Sequence, residues 1–245
     1  MALQNNAYIP DQSYPLDILG AETEGMIGYL IMQALENELP KQHRVATLLT
    51  QIEVDAQDPA FAAPSKPVGP IYDKRQADII ADSHGWTMAM DGKNYRRVVA
   101  SPRPKAIPDT GIIKLLVDHG VTVICAGGGG IPVVRRSDGS LVGIEAVIDK
   151  DRSSALLAAQ LGADALLMLT DVDGVYDNWQ TPDQVFISHI SPAEISKLDF
   201  PAGSMGPKVE AACDFVNETG GIAGIGKLVD ALRMIEGKAG TLISN

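Results

Sequence analysis

A chain of 245 residues, 45% of them hydrophobic, has material for one large α/β domain or two small ones and is not a disordered segment. A formal charge of −11 excludes nucleic acid as a general partner, because phosphate backbones demand a basic surface, yet a few converging lysines could still hold a small anion. Cys125 and Cys213 are too few for a disulfide framework and read as small core residues; no apolar run approaches a membrane span and no leader is read, so the cytoplasm is the expected compartment.

Residues from about Leu16 to Leu39 carry helical spacing, with Ile27, Leu30, Ile31, Ala34 and Leu35 on one stripe. Val45 to Val54 reads as one short apolar strand. From Asp55 to Lys105 the chain is rich in proline and charge, with the run Tyr95-Arg96-Arg97-Val98-Val99 between turn-like segments. That texture predicts a small inserted lobe of short strands and loops. Thr110 to Gly120 is helical, Val121 to Cys125 is a buried strand, and four glycines, Gly127 to Gly130, follow it. Ser153 to Leu161 reads as a helix closed by Gly162, Ala165 to Leu169 as a strand, and Glu210 to Glu218 as a helix. Gly221 to Ile225 is strand-like and Leu228 to Ile235 is a last amphipathic helix. Strands alternating with helices imply a mainly parallel open sheet covered on both faces, a three-layer αβα architecture. Ligands in such sheets sit beyond the carboxyl ends of the strands, where both the glycine cluster and Asp171-Val172-Asp173-Gly174 fall.

Two runs carry the chemistry. In Val147-Ile148-Asp149-Lys150-Asp151 and in Gly203-Ser204-Met205-Gly206-Pro207-Lys208, a lysine stands where a loop turns into a helix. A lysine beside a helix N-terminus can neutralise phosphate while backbone N–H groups donate to it, and the two sites together suggest phosphoryl transfer. Pro207 suits the first turn of the helix that follows. The glycine cluster would let the backbone approach an anion closely; it is not the G-x-G-x-x-G of a nicotinamide site. Gly221 to Lys227 matches the start of the phosphate-loop pattern G-x-x-x-x-G-K, but Leu228 takes the place of the hydroxyl residue, so the segment reads as a strand. The Asp171 to Tyr176 run lacks the further carboxylates of a calcium loop and reads as a turn placing Tyr176 beside a nucleobase. His84, His119 and His189 have no metal-like neighbours in sequence.

Three of these runs, Ala146 to Asp151, Leu169 to Tyr176 and Gly203 to Ala211, resemble the amino-acid kinase superfamily. Gln51-Ile52-Glu53-Val54-Asp55, Ser65 to Pro70, Tyr95 to Pro102 and Gly127 to Val133 resemble its carbamate kinase branch, so the similarity extends over the whole chain. The resemblance implies reversible phosphoryl transfer between ATP and carbamate, giving ADP and carbamoyl phosphate. The expected direction is the ATP-forming one of catabolism, as in arginine breakdown. It also implies Mg²⁺ carried with the nucleotide, a homodimer, and a projecting lid subdomain over residues 55–105 that brings Lys66 toward the phosphates.

By the same resemblance Lys150 and Lys208 contact phosphates, and Asp151 orients the lysines. Asp171, Val172, Tyr176, Met205 and Gly206 bound the ATP site, and Gly127, Gly128, Gly129 and Gly130 line the substrate side. No residue is assigned to a metal. The family pattern also has an earlier β-strand ending in a Gly-Gly-Asn loop and a His-Gly-Asn-Gly loop, neither of which is in this sequence; Met1-Ala2-Leu3-Gln4 reads as the end of the helix after the second. A carbamate kinase, a catalytically impaired nucleotide-binding homologue and another kinase of the superfamily are the readings open at this point.

Overall fold

The computed structural model describes residues 14–200 and 205–245, arranged as two compact units, 1–150 and 151–245. Met1 to Gln4, Gly203 and Ser204 therefore lie outside the described residues.

Unit 1 contains α1 (Leu16–Glu38), β1 (Arg44–Thr47), β2 (Gln51–Val54), β3 (Lys66–Tyr72), α2 (Lys74–His84), β4 (Met88–Asp91), β5 (Asn94–Val99), β6 (Pro104–Ala106), α3 (Thr110–Asp118), β7 (Val121–Ile124), β8 (Ile131–Arg135) and β9 (Leu141–Gly143). The strand predicted over Val45 to Val54 is two strands. β1 pairs in parallel with β7, whereas β2 pairs in parallel with β8, and Leu48-Leu49-Thr50 switches the chain between them. β6 and β9 add antiparallel edges beside β2 and β8. Residues 66–99 form their own antiparallel sheet in the order β3-β5-β4. Helix α2 lies between its strands, where short strands and loops are expected from the sequence. Its start is a reciprocal cap in which Asp73 accepts from the Gln76 N–H at 2.8 Å while the Gln76 side chain accepts from the Asp73 N–H; Gly85 ends it in the left-handed region at φ 66°.

The stripe expected on α1 does not face inward. The buried positions are Leu16, Leu19, Glu24 and Gly28, whereas Leu30 and Ile31 are exposed. Periodicity finds an apolar stripe but not which side of the helix the sheet takes. Here the side with Gly28 wins, because a Cβ there would stand 2.3 Å from Thr47 Cγ2 and only a bare backbone can approach β1 so closely.

Unit 2 continues with α4 (Lys150–Leu161), whose first residue closes unit 1, then β10 (Ala165–Thr170), β11 (Val175–Asp177), β12 (Val185–Ile187), β13 (His189–Ile190), α5 (Pro192–Ile195), α6 (Met205–Thr219), β14 (Ile222–Lys227), α7 (Ala231–Ile235) and β15 (Thr241–Ile243). The sheet order is β10-β14-β15-β13, with β10 and β14 parallel from Ala165↔Ile222 to Thr170↔Lys227. The apparent phosphate loop is thus the strand β14, as its apolar residues indicated. Phe215, Val216 and Ala212 of α6 pack with Ile225, Met168 and Val175 in one buried cluster. The last predicted helix is shorter than expected: Leu228–Asp230 is a 3₁₀ turn, and α7 buries Met234 while Leu228, Val229 and Leu232 face solvent. Among the described residues no helix is long and apolar enough to cross a membrane.

Phe215→Ala should therefore destabilise the protein by about 3–5 kcal/mol through a cavity in this cluster, and Val229→Ala, at a residue 87% exposed, by less than about 0.5 kcal/mol. Urea titration monitored by circular dichroism checks the pair, and equal midpoints would refute this assignment of the core.

Candidate active site

In unit 1 the run Ala146 to Asp149 leads into α4 through buried ground. Ala146 and Ile148 are inaccessible, and the Val147 N–H donates to the Ala100 carbonyl at 3.0 Å. Asp149 is buried with them, and Lys66 Nζ, at the start of β3, stands 2.6 Å from its Oδ2. Lys66 is held in register by pairing opposite Val99 of β5, and it keeps about a third of its side chain exposed (35%). A second tie lies four residues earlier: Glu145 accepts from the Leu16 N–H at the start of α1 (2.8 Å) and from Arg97 of β5 (3.1 Å). Lys150 itself is the exposed first residue of α4, three residues earlier than the predicted helix start, and so lies at a helix N-terminus.

The glycine cluster is a tight turn rather than an open cradle. Ala126 adopts φ 52°, Gly127–Gly129 form a 3₁₀ turn, and Gly129 at φ 112° passes so near Ile148 that a Cβ would lie 2.1 Å from its carbonyl oxygen. Nearly all its N–H groups are used within the protein. Ala126 donates to Thr50 Oγ1 (2.9 Å), Gly127 to Glu24 Oε1 (3.0 Å), Gly129 to the Ala126 carbonyl (3.1 Å), Gly130 to the Gly127 carbonyl (3.2 Å) and Ile131 to the Thr50 carbonyl (2.8 Å). The Glu24 carboxylate is buried, and its Oε2 also accepts from the Thr50 N–H at 3.1 Å. Burial raises its pKa above the usual range, and the bonds from Thr50, Gly127 and Ala126 work against that rise.

In unit 2 the second residue of α4, Asp151, is buried and takes both its oxygens to Lys208 Nζ, at 3.0 and 2.9 Å. The two side chains are 12% and 10% exposed, so this pair is well removed from solvent. Lys208 comes from the first turn of α6, with Pro207 before it as the sequence indicated. One residue further along α4 and two along α6, Arg152 and Glu210 pair at 2.7 Å. Met205 opens α6 and packs on the apolar cluster of the unit. Gly206 lines a cavity of about 500 Å³ with Ile195, Leu198, Phe200, Val209 and Cys213.

After β10, Asp171 is exposed and accepts from the Thr170 hydroxyl at 3.1 Å; Val172 beside it is half-buried. Tyr176 of β11 donates its hydroxyl toward both Asp173 oxygens (3.0 Å each), which raises the phenol pKa. Its ring centroid lies 5.1 Å from that of Trp179 and 5.2 Å from that of Phe186.

A model described as the amino acid kinase family matches residues 16–225. Carbamate kinases of Rhizobium meliloti and Haemophilus influenzae are 51% and 52% identical over 247 and 244 residues; these matches take in all of this chain and 76% and 79% of the relatives' lengths. This chain belongs to the amino acid kinase family, in its carbamate kinase branch. The carbamate kinase of Giardia lamblia bound to AMP-PNP superposes with a TM-score of 0.85 at 41% identity, over 98% of this chain and 79% of that one. The αβα reading of the fold class holds with it, and the antiparallel pairs at the sheet edges refine the expected mainly parallel pattern.

The structure brings two of the sequence-derived residues together, Asp151 and Lys208, and gives Lys66 a partner the sequence reading did not name, Asp149. Asp149 was open to detection, since a carboxylate set between Ile148 and a helix start needs a cation. Glu24 was not, because nothing local distinguishes it from a solvent-facing helix residue. The cysteines are both half-buried, Cys213 packed against the apolar cluster of its unit, and burial pushes each thiol up to about 11. Their alkylation by iodoacetamide should therefore climb about tenfold per pH unit from pH 8 to 10; a plateau near pH 9, followed by peptide mass spectrometry, would show ordinary thiols instead.

Proposed function

We propose that the chain is a carbamate kinase, transferring phosphoryl groups between carbamoyl phosphate and ADP in the ATP-forming direction. The observation that carries this reading is the Lys208–Asp151 pair, a lysine held by both oxygens of a buried aspartate at the start of a helix. Such a lysine is fixed before substrate arrives, so its charge reaches a phosphate oxygen with little reorganisation.

In this reaction a β-phosphate oxygen of ADP attacks the phosphorus of carbamoyl phosphate. The bond from phosphorus to the carbamate oxygen breaks, and carbamate leaves with the electron pair. No protein nucleophile and no proton transfer are needed, so positioning and charge neutralisation carry the catalysis. Unit 2 supplies the nucleotide functions: Lys208 on phosphate, and Tyr176, Asp171, Val172, Met205 and Gly206 around the base and sugar. Unit 1 supplies the substrate functions: Lys66, held on Asp149 and carried by the lid sheet of residues 66–99, and the glycine turn. Lys150 neutralises phosphate charge at the N-terminus of α4.

Among the described residues no group of three or more carboxylate, imidazole or thiol side chains could hold a metal ion. From the resemblance to other carbamate kinases, Mg²⁺ enters this proposal as part of the nucleotide substrate, with no step assigned to a protein-held ion. A cytoplasmic homodimer is the working form we take from the resemblance to other carbamate kinases.

Purified protein should form ATP from ADP, Mg²⁺ and carbamoyl phosphate. Lys208→Ala and Lys150→Ala should each lower turnover by about 10²–10³-fold with circular dichroism unchanged. Near-normal turnover in either variant removes that lysine from the mechanism. A folded wild-type chain that binds ADP without making ATP favours a nucleotide-binding homologue.

A further inference from the structure

Most of the N–H groups of the glycine turn are spent inside the protein, and the pattern of spending singles out one residue. Among the described residues of Ala126 to Ile131, only the Gly128 N–H has no protein acceptor. A Cβ built on Gly128 meets nothing within 4 Å, so open space adjoins that position, and its φ of 69° makes any side chain there strained. The turn that presents this donor is closed by its own bonds, Gly129 to Ala126 and Gly130 to Gly127, but it is anchored to the rest of the unit from outside. Its entrance is tied by Gly127 to Glu24 Oε1, and the end of the neighbouring strand crossover is tied by the Thr50 N–H to Glu24 Oε2. Thr50 in turn receives Ala126 on its hydroxyl and Ile131 on its carbonyl. One carboxylate on α1 thus fixes the spacing between the start of β2 and the exit of β7.

We infer that Glu24 is the positioning residue of the substrate side, a buried carboxylate that clamps Thr50 and Gly127 so that the Gly128 N–H is left for an oxyanion of the carbamoyl group. The inference rests on the reading of the glycine turn as the substrate side. An ionised carboxylate suits this task because it accepts at both oxygens. A carboxamide accepts at one and meets the other N–H with its own donors, so it cannot keep both ties. Substrate does not touch Glu24, and its effect on binding passes through the turn.

The test uses isothermal titration of the full chain with carbamoyl phosphate and, separately, with ADP. Glu24→Gln should weaken carbamoyl phosphate about tenfold or more while ADP stays within about twofold, since a hydrogen bond to a charged group is lost on one side only. Equal weakening of both ligands would mean a general structural role and overturn the inference. Gly128→Ala separates this inference from the reading beneath it. If Gly128→Ala weakens carbamoyl phosphate and Glu24→Gln does not, the turn serves the substrate but Glu24 does not position it. If Gly128→Ala leaves carbamoyl phosphate unaffected, the reading of the turn fails and the inference with it.

Should Glu24→Gln not fold, Thr50 carries the same comparison. Thr50→Ser keeps the hydroxyl that receives Ala126 and should bind carbamoyl phosphate as the parent does. Thr50→Val loses that hydroxyl and should reproduce the selective weakening; equal affinities in the two Thr50 variants would overturn the inference.

Discussion

A carboxylate taken out of water must find a cation or a set of N–H donors, or give up its charge, and three buried acidic residues place that demand on this fold. Asp149 takes Lys66, Asp151 takes Lys208, and Glu24 takes the backbone of Thr50 and Gly127. Each solution fixes a particular segment: the first residue of β3, the first turn of α6, and the entrance of a turn of consecutive glycines. Buried ion pairs add little net stability, because desolvation consumes much of their attraction, whereas removing one partner leaves a stranded charge. Their value here is positional. Lys208–Asp151 is well shielded and strongly constrained, while Lys66, a third exposed, sits on its aspartate with one side open to water.

How much of this could be read from the sequence depended on whether the signal was local. The strand identity of Gly221 to Lys227 was legible because its apolar residues stand among the glycines, and β14 pairs along the whole of Ile222 to Lys227. Lys150 and Lys208 at helix starts were legible for the same reason. The division of Val45 to Val54 was not, since Leu48-Leu49-Thr50 holds neither glycine nor proline to mark a turn, and only pairing with two different partners, β7 and β8, separates the strands. Helix α2 was missed although Asp73 and Gln76 have capping-box spacing; its few apolar residues gave no long periodic run. The inward face of α1 could not be read at all. It is decided by how closely Gly28 approaches Thr47, a contact between residues nineteen positions apart.

The site shows the same division. Asp151 and Lys208 lie 57 residues apart, and their pairing rests on α4 and α6 sharing one unit, a tertiary fact. The three-way contact of Glu24, Thr50 and Gly127 spans separations of 26 and 103 residues. No spacing rule within a helix reaches so far, so a buried glutamate looks in sequence like any polar residue on a solvated face. The glycines, in contrast, were conspicuous, but their number suggested a pliant anion cradle. The hydrogen bonds show a turn already closed on itself. Conformational freedom is used at Gly129, to pass the Ile148 carbonyl, more than to wrap a ligand.

An acidic protein that handles two anionic substrates cannot rely on long-range attraction. With a formal charge of −11, the mean field opposes the approach of ADP and carbamoyl phosphate, although salt screens it beyond about 8–10 Å. The Lys66–Asp149 and Lys208–Asp151 pairs are each close to neutral, so they do not reverse that field at a distance. What they offer in the proposed mechanism is short-range: an ammonium group already held in place, shielded at Lys208 and partly open to water at Lys66. A neutral pair also costs less to bury between turnovers than an isolated lysine would. In the proposed mechanism the aspartates therefore serve the substrate-free protein, each holding its lysine in a fixed place.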